Sequence, residues 1–281
     1  MFAQRVLTAA IGIPIILAVT LFGGETLFTA VVAAALAVAA LEFFGATDPE
    51  ARVHVEGQTP HQRRRLLAQR PVSWAGAAAV GVLTVAAGSG LDYLAGALAG
   101  SLAGIFLLLI LHSNPHAGLR DWSWVLTGLT YVGFLGAHLV LVRDFSDGVD
   151  WVLLALLATF ATDTSAYFGG KAFGRTHITP RISPGKTLEG FIDGYIGGFA
   201  AVFLLEWLTS ANMSTMDTLL LAALLPPAAM LGDLAESMIK RGGGVKDTSE
   251  LVPGHGGFLD RLDSVLFTAP LVYYFVIWVV S

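Results

Sequence analysis

The sequence predicts an all-α fold, a polytopic integral membrane protein with about nine transmembrane helices. The chain of 281 residues is 55% hydrophobic and only 13% charged, with a mean hydropathy of +0.70, outside the balance of a soluble domain. Its apolar residues also gather into nine segments, most of which approach the roughly 20 residues needed to cross a hydrocarbon core of about 30 Å. One soluble core could not absorb them all.

The first segment, 6–22, follows Arg5, but no persuasive cleavage site comes after it and the next segment begins almost at once. It reads as a retained helix rather than a signal peptide. The second, 27–44, completes an N-terminal pair, followed by a basic stretch; together these form a region at 1–73. The third, 74–87, is short for a span and reads as re-entrant or as extending into its flanks. With 91–111 and 122–142 it makes a middle region, 74–150. The last four segments, 151–168, 191–207, 218–238 and 265–280, alternate with polar blocks and define a C-terminal region, 151–281.

The basic residues orient these spans. With the N-terminus in the cytoplasm, Arg5, the arginine-rich 46–73 segment, Arg120 and the two later polar loops all face inward, and only Arg143 faces outward. Such asymmetry is the positive-inside pattern, and it places the chain in the cell inner membrane with its polar loops cytoplasmic. "RRRLLAQR" at 63–70 is a topological anchor on the plainer reading, and a surface for acidic lipid on the other.

The chain has no cysteine, which excludes disulfides, thiolate metal sites and cysteine nucleophiles. Any metal must take oxygen or imidazole ligands.

Three polar blocks in the second half, "TDTSAYFGGKAFGR" (162–175), "RISPGKTLEG" (181–190) and "GDLAESMIKR" (232–241), converge on one membrane face in this topology. Asp163 lies within an apolar helix, where a carboxylate costs about 2.5 to 3.5 kcal/mol on insertion scales, so it needs a partner or a function. Pairing with Lys171 or Arg175 is the alternative to a functional role. Asp233, Glu236 and Lys240 share one helical face, and Asp260 and Asp263 stand three apart before the last helix. Carboxylates at two helix ends offer an oxygen cage suited to Mg²⁺.

Lys186, Lys240, Arg241, Lys246 and Arg261 are cations suited to phosphate oxygens. "GGG" at 242–244 and "PGHGG" at 253–257 permit positive φ and close backbone approach, so Gly256 and Gly257 can help cradle phosphate with main-chain N–H groups. "SPGKTLEG" lacks the spacing of a Walker A loop and follows no strand. Ser183, Lys186 and Thr187 can still meet an anion at a helix start, or simply cap it. His255 offers a base near neutral pH, or a loop-orienting group.

These residues carry a specific resemblance. Ser237, Lys240, Arg241, Lys246, Asp247, Ser249, Val252, "PGHGG", Asp260, Arg261 and Asp263, with "DTSAYFGG", "FGR", "SPGKTLEG" and "GDLAES" before them, resemble the phosphatidate cytidylyltransferase (CDP-diacylglycerol synthase) family from about Asp163 to the end. The resemblance implies transfer of CMP from CTP to phosphatidic acid, with release of pyrophosphate. It implies a membrane enzyme of about nine helices that requires Mg²⁺, as one or two ions with a monovalent cation as a further candidate. The partners implied are CTP, phosphatidic acid, the bilayer and a second copy in a homodimer, with no nucleic acid. Asp233 and Asp260 are then the leading metal ligands, with Asp263 and Asp163 beside them; these four and Lys240 form the catalytic set. Lys186, Ser183, Ser237, Arg241, Lys246, Asp247, His255, Gly256, Gly257 and Arg261 would contact substrate. Rival readings are a CDP-archaeol synthase, a polyprenol kinase or, from another class, a transporter, whose polar residues would instead cluster at the midplane.

Overall fold

A computed structural model describes residues 12, 14–49, 71–112, 118–209, 211, 213–249, 251 and 256–280. Arg5, the basic 63–70 segment, Val252, Pro253, Gly254 and His255 lie outside the described residues. The elements are α1 (Gly24–Thr47), α2 (Pro71–Ala87), α3 (Leu91–His112), α4 (Gly118–Gly128), a π-helical stretch (Leu129–Phe134) and α5 (Leu135–Arg143). They continue with α6 (Gly148–Phe173), α7 (Leu188–Leu208), α8 (Thr215–Gly243), α9 (Leu259–Leu262), α10 (Val265–Phe275) and a closing π-helical stretch (Val276–Val280). Residues 14–22 of the first apolar segment are helical as well.

The protein is an all-helical, polytopic membrane protein. Among the described residues seven helices are long and apolar enough to span: α1, α3, Gly118–Arg143, α6, α7, α8 and Leu259–Val280, while α2 is a shorter apolar helix. The helices overrun the apolar segments that announced them, α6 reaching Phe173 and α8 reaching Gly243. Hydropathy marks where the bilayer ends, whereas a helix propagates until something stops it. The overrun places Lys171, Lys240 and Arg241 in last turns, where cations favour the helix dipole.

The chain divides into two compact units, each discontinuous in sequence: Met1–Leu141 with Ile239–Arg261, and Val142–Met238 with Leu262–Ser281. In the first, α1, α2 and α4 pack around Phe44, whose ring meets Phe43 and Trp124 edge-on at centroid distances of 5.4 and 5.2 Å. Gly76 and Gly128 lie against that ring, and a Cβ at either would reach within 2.5 Å of it. Trp124 Nε1 donates to Thr47 Oγ1 at 2.8 Å, satisfying the one polar atom of a buried indole. The end of α8 belongs to this unit: Gly243 lies on the Ala46 carbonyl of α1, and Gly244, at φ +71°, stops the helix. There the Gly244 N–H donates to Arg241 O and the Val245 N–H to Lys240 O, both at 3.0 Å, a glycine-dependent helix end.

In the second unit α6 and α7 run against each other through a face of small residues on α7. Gly190 meets Ala166 and Gly170, Gly194 meets Ala166, Gly197 meets Ser165 and Gly198 meets Thr162. Without a hydrophobic force to join helices in lipid, close backbone approach supplies the packing energy. α10 packs on α6 with Thr159 donating to Thr268 at 2.9 Å. α8 begins with a reciprocal cap, Asp217 N–H to Ser214 Oγ at 3.2 Å and Ser214 N–H to Asp217 Oδ2 at 3.1 Å, and carries Pro226 and Pro227 in its interior.

At Gly190 a Cβ would stand 2.8 Å from the Ala166 carbonyl oxygen and 3.0 Å from the Gly170 Cα, backbone atoms that cannot swing aside. Gly190→Ala is therefore expected to destabilise the detergent-solubilised protein by about 1–3 kcal/mol. Gly81→Ala, with nothing within 4 Å of the added carbon, should leave thermal melting nearly unchanged.

Candidate active site

Within the second unit, α6, α7, α8 and the 174–187 loop enclose a cavity of about 490 Å³. Its lining includes the polar Asp163, Lys171, Ser183, Lys186 and Asp233 and the largely apolar Tyr167, Phe191, Met230 and Leu234. The loop is held by its own backbone rather than left free. Ile178 N–H donates to Lys186 O at 3.2 Å and Leu188 N–H to Thr176 O at 2.8 Å, and Glu189 accepts from Arg175 N–H, Thr176 N–H and the Thr176 hydroxyl at 3.0 to 3.1 Å. Thr187 then caps α7 by accepting from Gly190 N–H at 3.2 Å. So "SPGKTLEG" ends in a helix cap, and its lysine is presented by a pinned turn.

Lys186 forms an ion pair with Asp233. Burial alone would push its pKa down, but Asp233 in contact and the nearby Asp163 and Asp263 more than reverse this, leaving it above the ordinary lysine value. Its ammonium therefore stays charged throughout the physiological range. The sign follows: this pair's contribution to stability is complete below the ordinary lysine pKa and is lost only as pH rises through the raised one. Asp163 accepts from the Ser264 hydroxyl at 3.2 Å, and the Ser264 N–H donates to Asp263 at 2.8 Å. Gly232 permits this arrangement, since a Cβ there would stand 2.9 Å from the Ser264 Cα.

A second polar cluster belongs to the first unit. Lys240 pairs with Asp260 Oδ1 at 2.6 Å, the two side chains being only 13% and 5% exposed. Asp260 Oδ2 accepts from Thr248 N–H at 3.2 Å, the Thr248 hydroxyl at 2.8 Å and Gly257 N–H at 2.6 Å. Gly256 takes φ +83°, and Arg241 donates to Val245 O at 3.3 Å. Lys246, Asp247 and Arg261 are exposed, whereas Ser237, in the second unit, is buried.

Of the residues expected in the site, Asp163, Ser183, Lys186, Asp233 and Asp263 belong to one unit and Lys240, Gly257 and Asp260 to the other. Among the contacts of Asp163 are the Ser264 hydroxyl and the charge of the nearby Lys186. Sequence reasoning missed Glu42, buried on α1, which accepts from the Ser249 hydroxyl and from Leu259 N–H. The signal was present, a carboxylate inside an apolar segment. Ser264 and Thr248 were missed because only folding reveals what they donate to.

Among the described residues no three His, Asp or Glu side chains are grouped as a ligand set for a metal ion. The hard carboxylate donors still fit Mg²⁺ in its common mode, one or two carboxylates with water and substrate phosphate completing the shell.

A cavity lined by lysines and carboxylates together with apolar groups, in a chain of membrane-spanning helices, has the kind of lining an anionic amphiphile requires. The chain belongs to the cytidylyltransferase family, whose profile matches residues 3–279. It is similar to the phosphatidate cytidylyltransferase of Synechocystis, 30% identical over 98% of this chain and 96% of that protein. The chloroplastic phosphatidate cytidylyltransferase 5 of Arabidopsis thaliana is 34% identical over 98% of this chain and 72% of its own. The phosphatidate cytidylyltransferase of Thermotoga maritima is 40% identical over 61% and 65%. The likeness therefore extends through the N-terminal half, where the motifs had not carried it.

Removing the Lys186 ammonium leaves the Asp233 carboxylate without its counter-charge. Because the Lys186 side chain is 37% exposed, Lys186→Met is expected to cost about 1–2 kcal/mol, below the 3–5 of a fully buried pair. Adding Asp233→Asn should recover part of that loss in thermal melts, a coupling that two independent residues would not show.

Proposed function

We infer that this protein transfers CMP from CTP to phosphatidic acid, giving CDP-diacylglycerol and pyrophosphate. Its family membership and relatives support this reading, and the observation that carries it is the cavity lined by Lys171 and Lys186 together with apolar side chains. A lipid phosphate needs both: charge for its head and apolar walls where its chains begin.

A phosphate oxygen of the lipid attacks the α-phosphorus of CTP. The new P–O bond forms as the bond to the bridging oxygen breaks, and pyrophosphate leaves with the electron pair. The nucleophile is already anionic near neutral pH, so no general base is required and His255 has no proton to remove. What the site must supply is charge neutralisation and in-line positioning. Lys186, held by its pinned loop, donates to phosphate oxygens in the cavity, and Lys240, buried beside Asp260, does the same for the nucleotide.

The charge balance argues for a divalent ion. Asp163, Asp233 and Asp263 bear on the single ammonium of Lys186, and Lys171 at the cavity wall still leaves a formal negative surplus, which would repel a phosphate dianion. Mg²⁺ held by Asp233, with Asp163 and Asp263 beside it, would reverse that balance and stabilise the charge developing on the transferred phosphoryl group; Asp260 would offer a carboxylate to a metal ion in its own unit. The polar loops face the cytoplasm of a cell inner membrane. The span Gly118–Arg143, with Arg120 at one end and Arg143 at the other, is oriented by the greater number of basic residues on the Arg120 side. The family resemblance further suggests a homodimer.

Transfer of radiolabelled CMP from CTP to phosphatidic acid in detergent tests this. Wild type is expected to form CDP-diacylglycerol only with Mg²⁺, and Asp233→Asn and Asp260→Ala to lose at least 100-fold in kcat. An active wild type with fully active variants would keep the reaction and defeat the assigned residues. A folded but inactive wild type would defeat the reaction and send the assay to ether-lipid and polyprenol acceptors.

A further inference from the structure

The N-terminal helix pair carries no residue of the signature, yet α1 places a carboxylate against the signature loop. Glu42 is 6% exposed, within a helix of mean apolar character, where an ionisable group needs partners or a task. Both its oxygens are engaged from far along the chain. Oε1 accepts from the Ser249 hydroxyl, and Oε2 accepts from Leu259 N–H at 2.7 Å. Neighbouring residues engage Asp260 as well, its Oδ2 taking Thr248 N–H, the Thr248 hydroxyl and Gly257 N–H.

The two carboxylates grip one loop from two directions. Gly257 shows how closely: a Cβ there would stand 2.8 Å from Glu42 Oε2 and 2.9 Å from Asp260 Oδ2. Only glycine leaves room for these oxygens and for the Thr248 hydroxyl, 2.1 Å from the same point, so the last glycine of "PGHGG" is required by packing. Leu259 opens α9, and its N–H is one of the donors a helix start leaves without an intrahelical partner. By accepting it, Glu42 fixes the first turn of the helix that bears Asp260.

We propose that Glu42 is a positioning residue, a clasp from the N-terminal helix that holds Ser249 and Leu259 so that Asp260 and Lys240 stay paired and aimed. This rests on the reading that the Lys240 and Asp260 cluster serves CMP transfer. Glu42 touches no reacting atom; it acts through the loop.

The test uses the full chain in detergent, with Glu42→Ala, Glu42→Gln and Ser249→Ala. Amide hydrogen exchange is read at Thr248, Gly257 and Leu259, and kcat and KM for CTP are measured alongside. Glu42→Ala is expected to speed exchange at those three amides at least tenfold and to lower kcat/KM at least tenfold, with exchange in the interior of α1 and α2 unchanged. Glu42→Gln should restore most of both, since its amide oxygen can accept from Leu259 N–H while its NH₂ donates to Ser249 Oγ. Ser249→Ala should show a smaller change in the same direction, and the double variant with Glu42→Ala should be no worse than Glu42→Ala alone.

Unchanged exchange at the three amides in Glu42→Ala would overturn the proposal. So would faster exchange spread through α1 and α2, which would make Glu42 a core residue, or faster loop exchange with kcat and KM unmoved. Exchange is read without substrates, so an inactive wild type would defeat the functional reading while the clasp is still decided on its own.

Discussion

A carboxylate among membrane helices must be neutralised or fully hydrogen-bonded, because the surrounding hydrocarbon can do neither. That constraint organises the polar architecture. Asp233 has Lys186, Asp260 has Lys240 and three further donors, Asp163 has Ser264, and Glu42 has Ser249 and Leu259. Each solution fixes a piece of chain that hydropathy leaves undetermined. Pairing Lys186 with Asp233 ties the 174–187 loop to α8. Four donors on Asp260 give the approach to the last helix a set conformation.

Glycine makes these solutions possible by removing bulk where oxygen atoms must come close. Along α7 it lets two helices approach until backbone meets backbone, and the cavity opens where that seam meets the pinned loop and α8. In the 242–257 region the glycines divide their tasks. Gly243 gives way to a neighbouring carbonyl, Gly244 ends a helix at positive φ, and Gly257 lies between two carboxylates. At these three positions the absence of a side chain answers a steric or conformational need of the fold itself. Gly256 adds a positive φ of +83°.

The spans were legible because hydropathy over a window of bilayer length is a direct physical signal. Their ends were not, because charged residues at 171, 240 and 241 continue helices that apolarity had seemed to close. Asp163 stood out by the cost of burying charge and Asp233 by the helical face it shares with Glu236 and Lys240; the same cost marked Glu42, overlooked because the other polar blocks lie in the second half. Partners were a different matter. Glu42 and Leu259 are separated by 217 positions, Asp163 and Ser264 by 101, and no local periodicity links residues so far apart. Lys240 had an i,i+4 partner available in Glu236, but its described ion pair is with Asp260 across a turn, a choice only tertiary structure makes.

The chemistry sets a final limit on what such a site must contain. When the attacking group is already an anion, proton transfer contributes nothing to its activation, and the barrier lies in bringing two phosphates together. Fixed cations answer that need if they are pre-placed, since moving a lysine into position during the reaction would return part of the stabilisation. Yet a lysine buried without a counter-ion would lose its proton. Asp233 resolves the conflict for Lys186: the pair keeps the ammonium charged while no substrate is present, and on the proposed reading it retains further N–H donors to offer a phosphate. The aspartate that makes the resting state tolerable would thus also keep the cation ready.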